Sequence, residues 1–225
     1  MIVLVTGPPG AGKSYYAIRK VADAIERGKC VATNVELAPD WAERIARRNP
    51  VRWLIPGRRQ AIAREYRRRV CVSQDLEELL SIRLAGRGEG RGVMVLDEAH
   101  SWLNSRLWSS EDRLRLVRFF SRHRKLGWDV YLITQSADMI DKQVRVLFEY
   151  HVHLRNLRKA RLFGVPVSPV NLFVAIWAWH AAGGARLKTE VYLLGWQRRL
   201  YNTYQVLFEA DEEVEGDLVL PRPTG

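Results

Sequence analysis

Short unbroken apolar runs alternate along this chain with stretches of helical periodicity. Met1–Thr6 (MIVLVT) is apolar almost throughout and stops at a Gly/Pro turn, as a strand buried on both faces of a parallel sheet does. From Ser14 to Arg27 the spacing turns helical, with Ala17, Val21, Ala24 and Ile25 on one side and Gly28 as the stop. Lys29–Asn34 (KCVATN) predicts a second strand, so the opening is a β-α-β unit. Val70–Val72 predicts a short strand. Ser73 is expected to cap a helix running through Leu84, with Asp75, Glu77 and Glu78 in the first turn, where the helix dipole favours acids. Val93–Leu96 and Val130–Thr134 read as further core strands on either side of a helix over Ser110–Lys125, and Gly86–Gly92 as a loop. Alternation at Val146, Phe148, Tyr150, Val152 and Leu154 predicts one more strand, followed by Arg155, Arg158, Lys159 and Arg161. Glu190–Leu194 and Thr203–Phe208 are expected as late strands.

Strands and helices alternating in this way predict an α/β domain, mainly a parallel sheet with helices on both faces. Its expected extent is residues 1–208, with 209–225 a loose acidic tail (Glu209, Asp211, Glu212, Glu213, Glu215, Asp217) ending in prolines. Residues 41–69 differ in composition and read as a basic, partly helical insertion outside the sheet, crowded with arginines from Arg44 to Arg69 and carrying Trp41, Trp53 and Tyr66. That mixture suits nucleic acid, guanidinium groups to phosphates and rings to bases, and equally a solvated insertion or a subunit contact.

Charge sharpens the picture only in part. The 36 Lys+Arg against 25 Asp+Glu leave a formal net charge of +11, which points to an anionic partner such as nucleic acid or an acidic membrane surface. Only seven of the basic residues are lysines, so an arginine-biased composition gives the same excess. Cys30 and Cys71 form neither a disulfide framework nor a metal set and are expected as small core residues in a reducing compartment. His151 and His153 share a strand face, where packing is the simpler role than metal binding because no third ligand presents itself. The first strand starts at Met1, so no leader is expected. The longest apolar stretch, Val170–Ala182, has 13 residues, too few for the roughly 20 of a spanning helix, though enough to dock on a membrane surface.

The chemistry is concentrated at strand ends. Gly7-Pro8-Pro9-Gly10-Ala11-Gly12-Lys13-Ser14 fits G-x-x-x-x-G-K-[ST] in full and lies between a predicted strand and a helix. Glycines let the backbone N–H groups turn inward as a nest for phosphate oxygens, next to the positive end of the helix that Tyr15 continues. Lys13 is expected on the β- and γ-phosphates of ATP, and the Ser14 hydroxyl on Mg²⁺. Val93-Met94-Val95-Leu96 delivers Asp97 to the same cation and Glu98 to the attacking water. Gln135, ending the Tyr131–Thr134 run, is placed to sense the γ-phosphate, or is an ordinary polar strand end. Phosphoryl transfer also needs positive charge from an arginine, often a neighbouring subunit's, and Arg122, Arg124 and Arg145 are the candidates. Asp97-Glu98-Ala99-His100 spells a helicase box, but the chain after it is too short for a second motor domain, so His100 is read as a neighbour.

With these pieces in order, the chain resembles the zonula occludens toxin-like (Zot) family, assembly ATPases of filamentous phages within the FtsK- and HerA-type P-loop motors. The resemblance is carried by VTGPPGAGKSYYA, VATNVEL, VMVLDEAHSWL and FSRHRKLGWDVYLITQSADMIDKQVRVLFEYHVHLR, and covers roughly residues 1–160. It implies a RecA-like fold and an extra strand between the two ATP motifs, which Val70–Val72 or Lys29–Asn34 supplies. It further implies assembly as a ring or multimer in the host cytoplasm, with peripheral contact at the inner membrane, other phage assembly proteins as partners, and extrusion of phage DNA or a DNA–protein complex. Family members usually continue into a membrane span, and this chain contains none. Packaging in a membrane-containing icosahedral phage therefore stands beside extrusion, with a nucleotide-gated scaffold and a small-molecule or nucleotide kinase as rivals.

Overall fold

The computed structural model describes residues 1–49, 58–86, 88–103, 110–159, 161–162, 165–166, 170–180 and 183–201. Eight strands form one sheet: β1 (Ile2–Thr6), β2 (Cys30–Thr33), β3 (Val70–Val72), β4 (Gly92–Leu96), β5 (Trp128–Thr134), β6 (Tyr150–Asn156), β9 (Leu172–Trp179) and β10 (Ala185–Leu193), in the order β10-β9-β6-β1-β5-β4-β2-β3. From β3 to β6 all neighbours are parallel, while β9 and β10 add antiparallel strands at one edge. Two short strands, β7 (Arg161–Leu162) and β8 (Val165–Pro166), pair only with each other. β1 lies inside the sheet, fully buried, which explains its unbroken apolar sequence.

The sheet's two faces have separate cores. Helix α1 (Lys13–Glu26) packs its Ala17, Val21, Ala24 and Ile25 side over Val3, Val5, Val95 and Ile133. It stops at Gly28, whose φ of 72° allows the closing bonds Gly28 N–H to Ile25 O (2.9 Å) and Lys29 N–H to Ala24 O (3.0 Å). The opposite face, with Ile2, Leu4, Met94 and Leu132, is covered by α4 (Leu76–Ser81), α5 (His100–Leu103), α6 (Ser110–Leu126) and α7 (Lys142–Arg145). Under β9 and β10 that cover is missing among the described residues, and Val191 and Leu193 are 59% and 57% exposed.

Several expectations change. The helix expected from Ser73 starts at Leu76, because Ser73 N–H still bonds Thr33 O beside β2 and Asp75 accepts from Glu77 N–H as the cap. It ends at Ser81, where Ile82 turns extended. The strand expected from Val146 begins at Tyr150; Asp141 caps Lys142–Arg145 as α7 by accepting from Gln143 N–H at 2.8 Å, and Val146 is solvent-exposed. Within Val170–Ala182, residues 172–179 are β9, an interior strand between β6 and β10 with one face buried.

The stretch 41–69 forms α2 (Trp41–Ala46) and α3 (Arg58–Arg68), which pack on each other and extend the α1 core. Trp41 and Tyr66 are buried there rather than offered to bases, and Trp53 lies outside the described residues. Arg67 forks onto Glu43 at 2.8 Å, and Arg69 pairs with Glu65 at 2.7 Å, so part of the arginine excess is neutralised within the insertion. The strand expected at Thr203–Phe208 and the acidic tail lie outside the described residues. Cys30 and Cys71 are both free and half-buried.

Candidate nucleotide site

β1 ends at Thr6, and the chain turns through residues 7–12 into α1. Gly10 and Gly12 take φ values of 74° and 89°, a region that strains any residue with a Cβ. Ala11 N–H closes the loop onto Pro8 O at 3.0 Å. The Lys13 side chain, only 8% exposed, folds back and donates its ammonium to Gly7 O at 2.9 Å. Tyr15 is buried with its hydroxyl turned away from the loop, which leaves its backbone N–H, in the first turn of α1, as the part able to meet a phosphate.

β4 lies two strands from β1, with β5 between them. Its end brings Asp97 close enough to Ser14 for the hydroxyl to favour the charged carboxylate. Burial pushes the Asp97 carboxyl above the usual carboxylate range; the Ser14 hydroxyl, the Glu98 N–H and the Lys13 ammonium pull the other way. A hydroxyl and a half-buried carboxylate side by side are hard oxygen donors, the kind that suits Mg²⁺. Glu98 follows at φ 47°, a left-handed conformation that is unusual for a non-glycine residue, with its side chain half exposed and Oε2 3.2 Å from His100 Nδ1. Strain of this kind gathers at functional positions. Gln135 is exposed at the end of β5, between these two strand ends.

The three candidate arginines have other partners or face solvent. Arg124 holds Glu149 at 2.6 Å near the start of β1, where Glu149 and Asp129 also meet the amino group of Met1. Arg145 is tied to Asp138 at 2.7 Å and to Ile140 O at 3.0 Å. Arg122 is exposed on α6, at the rim of a groove with Leu76, Trp102 and Phe119. None of the three joins Lys13, Ser14 and Asp97 within one chain.

One residue of the site escapes sequence reasoning. Asn34, just past β2, accepts from Asp97 N–H at 2.8 Å and donates to Asp97 O at 2.9 Å. A lone asparagine after a strand signals nothing until the neighbouring strand is known. His151 and His153 flank Thr6 Oγ1 at 2.8 and 3.1 Å with ring centroids 3.9 Å apart, and no cluster of metal ligands exists among the described residues.

The family model for zonular occludens toxin (Zot) matches residues 1–165. The gene 1 protein of Escherichia phage If1 is 35% identical over 167 residues, 70% of this chain and 42% of that protein. The chain thus spans less than half the length of the curated relatives it matches. Among solved structures, the RadB recombinase superposes with a TM-score of 0.50 at 15% identity, over 90% of each chain. Another, of an isolated ATPase domain, gives 0.52 at 11% identity, over 89% of this chain and 84% of that one. These likenesses establish the RecA-like P-loop fold.

Proposed function

The chain belongs to the zonular occludens toxin (Zot) family, and on that premise we propose that it is an ATP-hydrolysing motor of phage assembly that drives DNA extrusion or packaging as an oligomer. The observation that carries this reading is the approach of Ser14, at the start of α1, to Asp97, at the end of β4, beside the loop-bound Lys13. It joins the two strand ends that a phosphoryl-transfer site requires.

Residues 7–15 receive the phosphates on backbone N–H groups and on the positive end of α1. Lys13 exchanges Gly7 O for phosphate oxygens. Ser14 and Asp97 hold Mg²⁺, which supplies positive charge for the phosphoryl oxygens when bound. Glu98 orients a water and takes its proton, its half-exposed carboxylate leaving room for one. Gln135, at the strand end between the two sites, reports the γ-phosphate. Arg122, Arg124 or Arg145 completes the site from a neighbouring subunit. A peripheral contact at the inner membrane belongs to the same reading, and no described helix is long and apolar enough to cross a bilayer.

Steady-state phosphate release from purified protein with Mg-ATP tests the reading, with and without single- or double-stranded DNA, over a range of protein concentrations. A motor with shared sites turns over faster with DNA and at higher protein concentration. Turnover indifferent to both would overturn it.

A further inference from the structure

A Cβ built on Gly12 would stand 2.5 and 2.6 Å from Cε1 and Cδ1 of Phe173. Phe173 comes from β9, beyond the residues 1–165 that match the family. Its ring, 5% exposed, is the floor on which the last turn of the phosphate loop rests. The ring packs against Tyr15 (centroids 5.6 Å apart) and stacks on Tyr192 of β10 (5.6 Å, 22° between planes). The Arg19 guanidinium covers the Tyr192 ring at 3.9 Å.

A second tie runs from the loop's own helix. The Tyr15 hydroxyl accepts from Gly195 N–H at 2.6 Å and lies 3.3 Å from Leu193 O and 3.2 Å from Gln197 Oε1, all at the far end of β10. A third, at 3.4 Å, joins Asn156 Nδ2 to Gly10 O, with Asn171 Oδ1 3.3 Å from the same amide nitrogen. The β9–β10 hairpin thus grips the loop and its helix at Gly12 and Tyr15, while Asn156 of the neighbouring β6 holds Gly10, all on the side of the loop turned towards the sheet's antiparallel edge.

We infer that the β9–β10 hairpin is part of the nucleotide site, with Phe173 and Tyr15 as positioning residues that hold the phosphate loop open for a polyphosphate. The inference rests on the reading of residues 7–14 as a phosphate loop. Gly12 must stay at positive φ for its neighbours' N–H groups to converge, and a close-packed ring beneath it denies the loop room to collapse. Phosphates wrapped by the loop in turn fix Gly12 against Phe173, so ligand and hairpin order one another.

The test uses the full chain. Hydrogen exchange of residues 185–193 is measured with and without saturating Mg-ADP in wild type and in Lys13→Ala, and KM and kcat for ATP in Phe173→Ala, Phe173→Leu and Tyr15→Phe. ADP slows exchange of the hairpin in wild type and not in Lys13→Ala. Phe173→Ala raises KM about tenfold with kcat moved far less, the mark of lost binding rather than lost chemistry, and Phe173→Leu restores most of it. Folded Phe173→Ala with the wild-type KM overturns the inference, and so does hairpin exchange unchanged in wild-type protein that binds ADP. If Phe173→Ala does not fold, the wild-type exchange result decides alone. A wild-type chain that binds no ADP overturns the phosphate-loop reading itself, and this inference with it.

Discussion

Asn34 and Asp97 pair as two strands pair, side chain to backbone: Oδ1 accepts the Asp97 N–H at 2.8 Å and Nδ2 donates to the Asp97 carbonyl at 2.9 Å. The amide extends the β2–β4 ladder by one rung, to the point where Asp97 must face Ser14 and Glu98 must turn to φ 47°. Asn34→Asp keeps the acceptor but sets a carboxylate oxygen against the Asp97 carbonyl. The expected result is a loss of roughly tenfold in kcat, about 1.4 kcal/mol. Phosphate-release kinetics beside a circular-dichroism melt separate this from unfolding; an unchanged kcat means that Asn34 only decorates the strand end.

Lys13→Ala and Glu98→Gln are expected to fail differently. The first leaves loop carbonyls with no cation and phosphates with no counter-charge, so a fluorescent ATP analogue should no longer bind. The second keeps the binding groups and removes the proton acceptor, so binding persists while phosphate release falls by about 10²–10⁴-fold. Hydrolysis at the wild-type rate in Glu98→Gln would refute the base assignment.

Gly92→Ala should weaken the fold without touching the site. A Cβ there would lie 2.6 Å from the Trp128 ring and 2.7 Å from Leu84 Cδ1, in a strand with neighbours on both sides. Overpacking of that order costs about 1–3 kcal/mol. In a domain of this size the melting temperature should fall by roughly 2–4 °C per kcal/mol. An unshifted melt would show that the β4–β5 register has slack.

Acid sensitivity should begin above the carboxylate range. Burial, with His153 and His180 nearby, pushes His151 down to about 4 from the ordinary value of 6.5. His123, mainly by burial, and His153, by burial and then Arg155, move the same way. Between those two values the unfolded chain binds the proton that folded His151 refuses. Stability is therefore full above about pH 6.5 and declines as the pH falls towards about 4. Urea midpoints at pH 7.5 and 5 measure the decline, and His151→Gln should flatten it. An equal slope in the variant means that other groups carry the dependence.

What the sequence made legible was whatever depends on local order. β1, the loop and α1 follow one another directly, so Gly7–Ser14 declares itself, and the apolar run before Asp97 does the same for β4. The missing parts depend on neighbours distant in the chain. β9 escaped because its open face carries Leu172, Val174, Ile176 and Ala178, so the alternation of a half-exposed strand is erased and the run reads as a surface segment. With β9 hidden, the grip of Phe173 on Gly12 could not be seen. Trp41 and Tyr66 misled in the other direction: rings among arginines suggest bases, whereas here they fill the seam between α1, α2 and α3.

β1 is the middle of the sheet and the first strand of the chain. Its partners lie far along it: Ile2 pairs with Val130, and Thr6 reaches His153, 147 positions on. At about 5–20 residues per second, a ribosome takes roughly 7–30 s to produce the second of those partners once the first strand has emerged. Through that interval IVLVT is an apolar strand with both edges open. The placement that sets Gly7 at the heart of the fold thus makes synthesis of this chain a race between its own later strands and those of its neighbours on the polysome.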